Sequence, residues 1–231
     1  MTEKNNKKIL QEKYKNNIDG LKKKIGQICK NIGRNPREIT IIAATKYADA
    51  KSVDIIRELG IMDLGENRAD ELTRKSMYVD KEARWHFIGH LQSRKARDVV
   101  PIVEYIHSID SIRILEKVSS EAKKNSKIQK VLIEVNISGE ESRYGLGIDN
   151  VVDFIIKAEK IDNIELKGLM TMAPYTDDME YIRKIFKRLR LLKEKVGSQL
   201  FSELSMGMSN DFSIAIEEGA TMIRIGSTIF K

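Results

Sequence analysis

The chain has 231 residues, 41% of them hydrophobic and 32% charged, enough to bury the core of one large α/β domain without covalent staples. Cys29 is the only cysteine, which excludes an intrachain disulfide. No apolar run approaches a membrane span, and the N-terminus lacks the apolar core of a signal peptide, so a cytoplasmic location is expected.

Residues 1–30 carry +6 of the formal charge of +7, through nine lysines set against Glu3, Glu12 and Asp19. Without a series of interleaved aromatic residues to stack on bases, this reads as a solvated helix face and not as a nucleic-acid surface. Leu10, Tyr14, Ile18, Leu21, Ile25, Ile28 and Ile32 recur at spacings of three and four, predicting a long amphipathic N-terminal helix within 1–34. Gly33 ends it and Pro36 bars its return. Ile39 to Thr45 is apolar without alternation, as a strand buried on both faces of a parallel sheet would be, and it stops at Lys46. A helix over 49–59 completes the first strand-helix unit.

The same unit then recurs. Strands are expected at 61–64, 84–89, 104–109, 130–137, 166–170, 201–204 and 221–225. Helices are expected from 69, then over 91–100, to 122, 149–160, 177–196 and 210–218. Eight strands alternating with seven helices predict an α/β fold, a single-domain (β/α)8 TIM-type barrel over 1–231. The eighth outer helix is lacking, and the N-terminal helix is the element expected to fill its place.

In this fold the chemistry gathers at the C-terminal ends of the strands. Lys46 stands there and reads either as a solvated lysine or as a functional amine. Ser205-Met-Gly-Met-Ser209 and Arg224-Ile-Gly226-Ser227 follow the seventh and eighth strands, the usual place of a phosphate cradle. Ser209 and Asn210 read equally as helix caps. A strand-one lysine facing such a cradle suggests an aldehyde cofactor held at both ends, and pyridoxal 5'-phosphate fits. Partial burial or a nearby cation would raise the neutral fraction of the amine. His86 and His90 lack the glutamate of a zinc helix motif, so no metal is expected. Cys29 reads as helix core, and Gly139–Gly145 as a solvated loop, a lid or a partner surface.

At Ala44-Thr-Lys46, Gly65-Glu-Asn67, Trp85-His-Phe-Ile-Gly-His-Leu-Gln92, His107-Ser-Ile-Asp110, Val135-Asn136, Gly139-Glu-Glu-Ser142, Lys167-Gly-Leu-Met170, Ser205-Met-Gly-Met-Ser209 and Arg224-Ile-Gly226 the chain resembles the pyridoxal-phosphate homeostasis proteins, across essentially its whole length. The resemblance implies a barrel like the N-terminal domain of alanine racemases. It implies Lys46 as the Schiff-base lysine, Asn67 beside the cofactor, Ser205, Ser209, Gly226 and Ser227 around the phosphate, and Arg224 facing the pyridine nitrogen. Ser227 stands where the family usually has threonine, and the tail Ile229-Phe-Lys231 lacks the glycine and basic residues that commonly follow.

A guanidinium at the ring nitrogen is a donor that stays charged, which favours the unprotonated ring and a weak electron sink. Racemisation also needs a second base, which in the enzymes that this barrel resembles comes from a partner subunit; Tyr47, His86 and Tyr144 are the internal substitutes. The expectation is therefore a monomeric, non-enzymatic carrier that buffers the cofactor or delivers it to pyridoxal-phosphate-dependent apoenzymes. The alternatives are a small amino-acid racemase and a sugar-phosphate barrel enzyme using Lys46 without a cofactor.

Overall fold

In the computed structural model, which describes residues 3–79, 82–197 and 201–231, eight parallel strands follow the order of the sequence around a closed barrel. They are β1 Thr40–Ala44, β2 Asp63–Glu66, β3 Arg84–Phe87, β4 Tyr105–Ile109, β5 Gln129–Glu134, β6 Ile164–Met170, β7 Glu203–Ser205 and β8 Met222–Ile225. β8 closes on β1 with Ile41 opposite Ile223 and Ile42 opposite Arg224. Successive residues of each strand face the lumen and the helix layer in turn. Ile42, Leu132, Met170 and Met222 form an inner cluster, while Ala43, Leu64, Ile133, Leu169 and Ile223 join the larger core under the helices. β6 and β7 approach closely at Gly168, where a Cβ would lie 1.9 Å from the Glu203 carbonyl oxygen.

The helices are α1 Glu3–Asn31, α2 Ala50–Glu58, α3 Ala69–Ser76, α4 Ala96–Val99, α5 Ile112–Lys124, α6 Val151–Ala158, α7 Met179–Gly197, α8 Phe212–Glu217 and α9 Ser227–Phe230. α1 lies against α2, α8 and α9, at the place an eighth outer helix would take. Residues 1 and 2 of the expected 1–34 segment lie outside the described residues. Tyr14, Ile18, Leu21 and Ile25 are buried as the periodicity predicts, but the stripe ends on fully buried Cys29, and Ile32 is 38% exposed. The drift arises because 3.6 residues per turn carries a stripe of threes and fours slowly around the helix. The Tyr14 hydroxyl donates to Ser52 Oγ (3.1 Å), its ring meets Phe230 edge-on at 5.7 Å, and Asn17 Nδ2 donates to the Ile229 carbonyl (2.9 Å).

Two expectations change. The helix expected over 91–100 is a 3-10 turn at Ser93–Lys95 followed by the single turn of α4, because Leu91 is fully buried as a loop residue and its apolarity serves packing. After β8 the chain does not stop at a bare strand end: Ser227–Phe230 makes one more helical turn, α9, against α1.

Candidate functional site

The loops after β1, β6, β7 and β8 enclose a cleft of about 450 Å³ at the C-terminal mouth of the barrel. Lys46, two residues beyond β1, lines it. The side chain is exposed and not partly buried, with its ammonium 4.9 Å from the centre of the Tyr47 ring. Beyond β7, Gly207 takes φ +94°, a conformation open to glycine, and a Cβ there would come within 2.5 Å of the Ala215 methyl. The turn carries Met208, Ser209, Asn210 and Asp211 to the cleft wall.

Ser209 and Asn210 do not cap α8. That helix begins after Asp211, while the Ser209 hydroxyl faces the Thr228 amide at the start of α9, 3.4 Å away. Asp211 accepts from the Met208 amide, and burial pushes its carboxyl above the ordinary value. Gly226 brings β8 against β1: a Cβ there would sit 3.4 Å from the Ala44 carbonyl oxygen. Ser227 follows it on the same wall.

Arg224 points from β8 into the upper lumen, 4% exposed, and also lines the cleft. Burial lowers its pKa to about 10, against the opposing pull of Asp211 and Glu134. Nη2 donates to the Thr171 carbonyl (2.9 Å) and Nη1 to Ser205 Oγ. Ser205 Oγ lies 2.9 Å from His107 Nδ1, His107 Nε2 lies 3.0 Å from His86 Nδ1, and His86 Nε2 lies 3.1 Å from Asp63 Oδ1. Arg84 grips Asp63 with two hydrogen bonds of 2.8 and 2.6 Å. A single sense of donation satisfies this chain with both imidazoles neutral: Arg224 to Ser205, Ser205 to His107, His107 to His86, His86 to Asp63. Burial, with His86 and Arg224 beside it, holds the His107 pKa well below the ordinary histidine value. Burial raises the Asp63 carboxyl, but hydrogen bonds from His86 and Arg84 outweigh it and leave the pKa lowered.

Lys46, Ser209, Arg224, Gly226 and Ser227 thus meet on one cleft. Two expected residues do not line it. Ser205 is fully buried below, its hydroxyl committed to Arg224 and His107. Asn67 is exposed past the end of β2, with its amide donating to Glu66 Oε1 (2.8 Å).

His86, one of the three internal candidates for a second base, lies in the lumen and not at the mouth. Tyr47 lines the cleft and is 90% exposed, while Tyr144 stacks on His90 at 3.7 Å. Sequence reasoning missed Arg143, which reaches the cleft from the 139–145 loop. Its Nε donates to Glu140 Oε2 (2.6 Å), and Nη1 donates to the Met172 and Ala173 carbonyls (both 3.3 Å). The only signal was its place in a charged loop. Among the described residues no group of His, Cys, Asp and Glu is arranged to hold a metal ion, and burial pushes the Cys29 thiol up.

The cleft therefore offers an amine on one side, serine hydroxyls beside a glycine approach on another, and a guanidinium at its floor. Residues 14–231 match the alanine racemase N-terminal domain family. A pyridoxal phosphate homeostasis protein of Aquifex aeolicus is 35% identical over 211 residues, covering 90% of this chain and 92% of that one. The structure of PipY from Synechococcus elongatus PCC7942 with PLP bound is similar at a TM-score of 0.78 and 26% identity, covering 90% of this chain and 100% of that one. An alanine racemase of Clostridium difficile 630 shares the fold at a TM-score of 0.72 and 16% identity, with 94% of this chain matching 56% of that one.

Proposed function

This chain belongs to the pyridoxal phosphate homeostasis protein family, and from that premise we propose that it binds pyridoxal 5'-phosphate in the cleft, covalently through Lys46, and acts in buffering or delivering it. The observation that carries this reading is the meeting of Lys46, Arg224, Ser209, Gly226 and Ser227 on one wall system. When bound, the cofactor supplies an aldehyde for a lysine amine and a phosphate for a cradle. Ser209 and Ser227 would hold the phosphate with hydroxyl donors, and Gly226 admits it because its backbone carries no side chain into the cleft. Arg224 would face the ring nitrogen as a donor, and Ser205, instead of touching the phosphate, would orient Arg224. Asn67 does not line the cleft, so the expected place beside the cofactor draws no support from its position.

A donor-only Arg224 and the withdrawal of His86 into the lumen support a carrier over a catalyst. The carrier is read as a cytoplasmic monomer that serves pyridoxal-phosphate-dependent apoenzymes. Among the described residues, no helix is long and apolar enough to cross a membrane.

The test is the visible absorbance of the protein with added pyridoxal phosphate, before and after borohydride reduction, with L-alanine and L-serine then offered as substrates. Wild type should gain a band that reduction fixes as a mass adduct on Lys46, Lys46→Ala should gain none, and no D-amino acid should form. A colourless wild type would return Lys46 to a cofactor-free phosphate-barrel chemistry, and D-alanine formation would make the protein a racemase.

A further inference from the structure

Lys75 of α3 and Glu66 at the end of β2 form an ion pair at 2.7 Å, each side chain 1% exposed, in the layer between barrel and helices. Removing two charges from water costs several kcal/mol per ion, and a well-packed apolar pair in the same volume is often as stable or more so. Stability alone therefore does not account for it. Lys75 also faces the half-exposed Glu71 at 3.7 Å, and the hydrogen bonds that leave the pair go to two places. Lys75 Nζ donates to the Thr45 carbonyl (2.7 Å), and Glu66 Oε2 accepts from the Thr45 hydroxyl (2.8 Å). Glu66 Oε1 accepts from the Asn67 amide (2.8 Å). Thr45 and Asn67 are the residues at which β1 and β2 leave their ladder. The Thr45 amide still reaches the Gly65 carbonyl (2.8 Å), and its own carbonyl also accepts from Ala48 (2.9 Å). Every polar group of Thr45 is thus engaged, and the peptide plane linking Thr45 to Lys46 is held against rotation.

We propose that Lys75 and Glu66 are positioning residues: a buried clamp that fixes the peptide carrying Lys46 and the amide of Asn67 relative to each other, so that an exposed, flexible lysine leaves the barrel in one direction. This rests on the cofactor reading above. The clamp acts on the backbone, from behind the barrel wall, and touches neither the cleft nor its contents.

The experiment compares wild type, Glu66→Leu/Lys75→Met and Glu66→Gln in three measurements: the urea midpoint, backbone amide exchange in cofactor-free protein, and equilibrium binding of pyridoxal phosphate. The apolar double variant should keep a midpoint near wild type. It should exchange the Thr45 and Asn67 amides, which donate to the Gly65 carbonyl and to Glu66, faster and bind the cofactor about tenfold or more weakly, the scale expected when a reacting group loses its orientation. Glu66→Gln keeps one acceptor oxygen and the Lys75 bond to Thr45, so it should fall between the two. A folded double variant with wild-type exchange at both amides and wild-type affinity would overturn the clamp. Should the double variant not fold, unchanged exchange in Glu66→Gln would do the same. A wild type that takes no cofactor would sink the function reading, while the amide exchange would still decide the clamp.

Discussion

Arg224 and Glu134 share the upper lumen, and their buried charges influence one another. Glu134 ends β5 and is 4% exposed. Burial, then Asp110, push its pKa from 4.5 up to about 7, with Arg224 pulling the other way. The folded chain therefore holds this proton more tightly than the unfolded chain does. Its contribution to stability is greatest below the unfolded value and is lost as pH rises through about 7. Glu134→Gln should flatten that decline, changing the pH dependence of the cofactor-free unfolding free energy, read from urea midpoints, by on the order of 3 kcal/mol across the window. Asp110, which burial also raises, titrates in the same sense and keeps part of the slope. Parallel midpoint curves for the two proteins would refute the assignment. That Lys46, Ser209, Gly226 and Ser227 would gather at the barrel mouth was legible because strand ends and small-residue turns have local signatures, whereas a role for Arg224 was expected only from the family resemblance. The relay of Asp63, His86, His107 and Ser205 was not legible: its members come from four short strands, and alternation says only which way each side chain faces.

α1 supplies five buried side chains, Tyr14, Ile18, Leu21, Ile25 and Cys29. Burying a large apolar side chain is worth about 1.5–3 kcal/mol, so their sum rivals the whole stability of an ordinary domain, about 5–15 kcal/mol. Deleting residues 1–30 should leave an aggregating chain or one with a sharply lowered melting temperature, read by soluble yield and thermal scan. An equally stable soluble product would show that the helix is ornament. Helices with a sustained stripe, such as α5 and α7, were legible from periodicity. α4 and α9 were not, since four residues cannot display a period and Leu91 imitates one while serving a loop.

Barrel closure was legible from the count of strand-helix units, whereas register was not. The ladder of β4 on β5 shifts register between Ile106 and Ile109, and that of β5 on β6 between Val131 and Leu132, with no turn or breaker residue in the sequence to mark the first. The lysines of α1 from Lys7 to Lys30 are exposed, on the solvent side of a helix whose other side is buried. The expected state in solution is a monomer, checked by sedimentation equilibrium at low and high salt. A concentration-dependent dimer at both salts would contradict it and turn attention to exposed Tyr47 and Tyr175 beside the cleft.

α1 precedes every strand of the barrel in the chain, while the Ile229 carbonyl and Phe230 ring that receive part of it come some two hundred residues later. α2 can seat part of its apolar face early, through Ser52, but the side formed by α8 and α9 is missing until β8 has been made. Completion of this barrel therefore waits for β8, and a partly made chain carries an incompletely covered helix face until then.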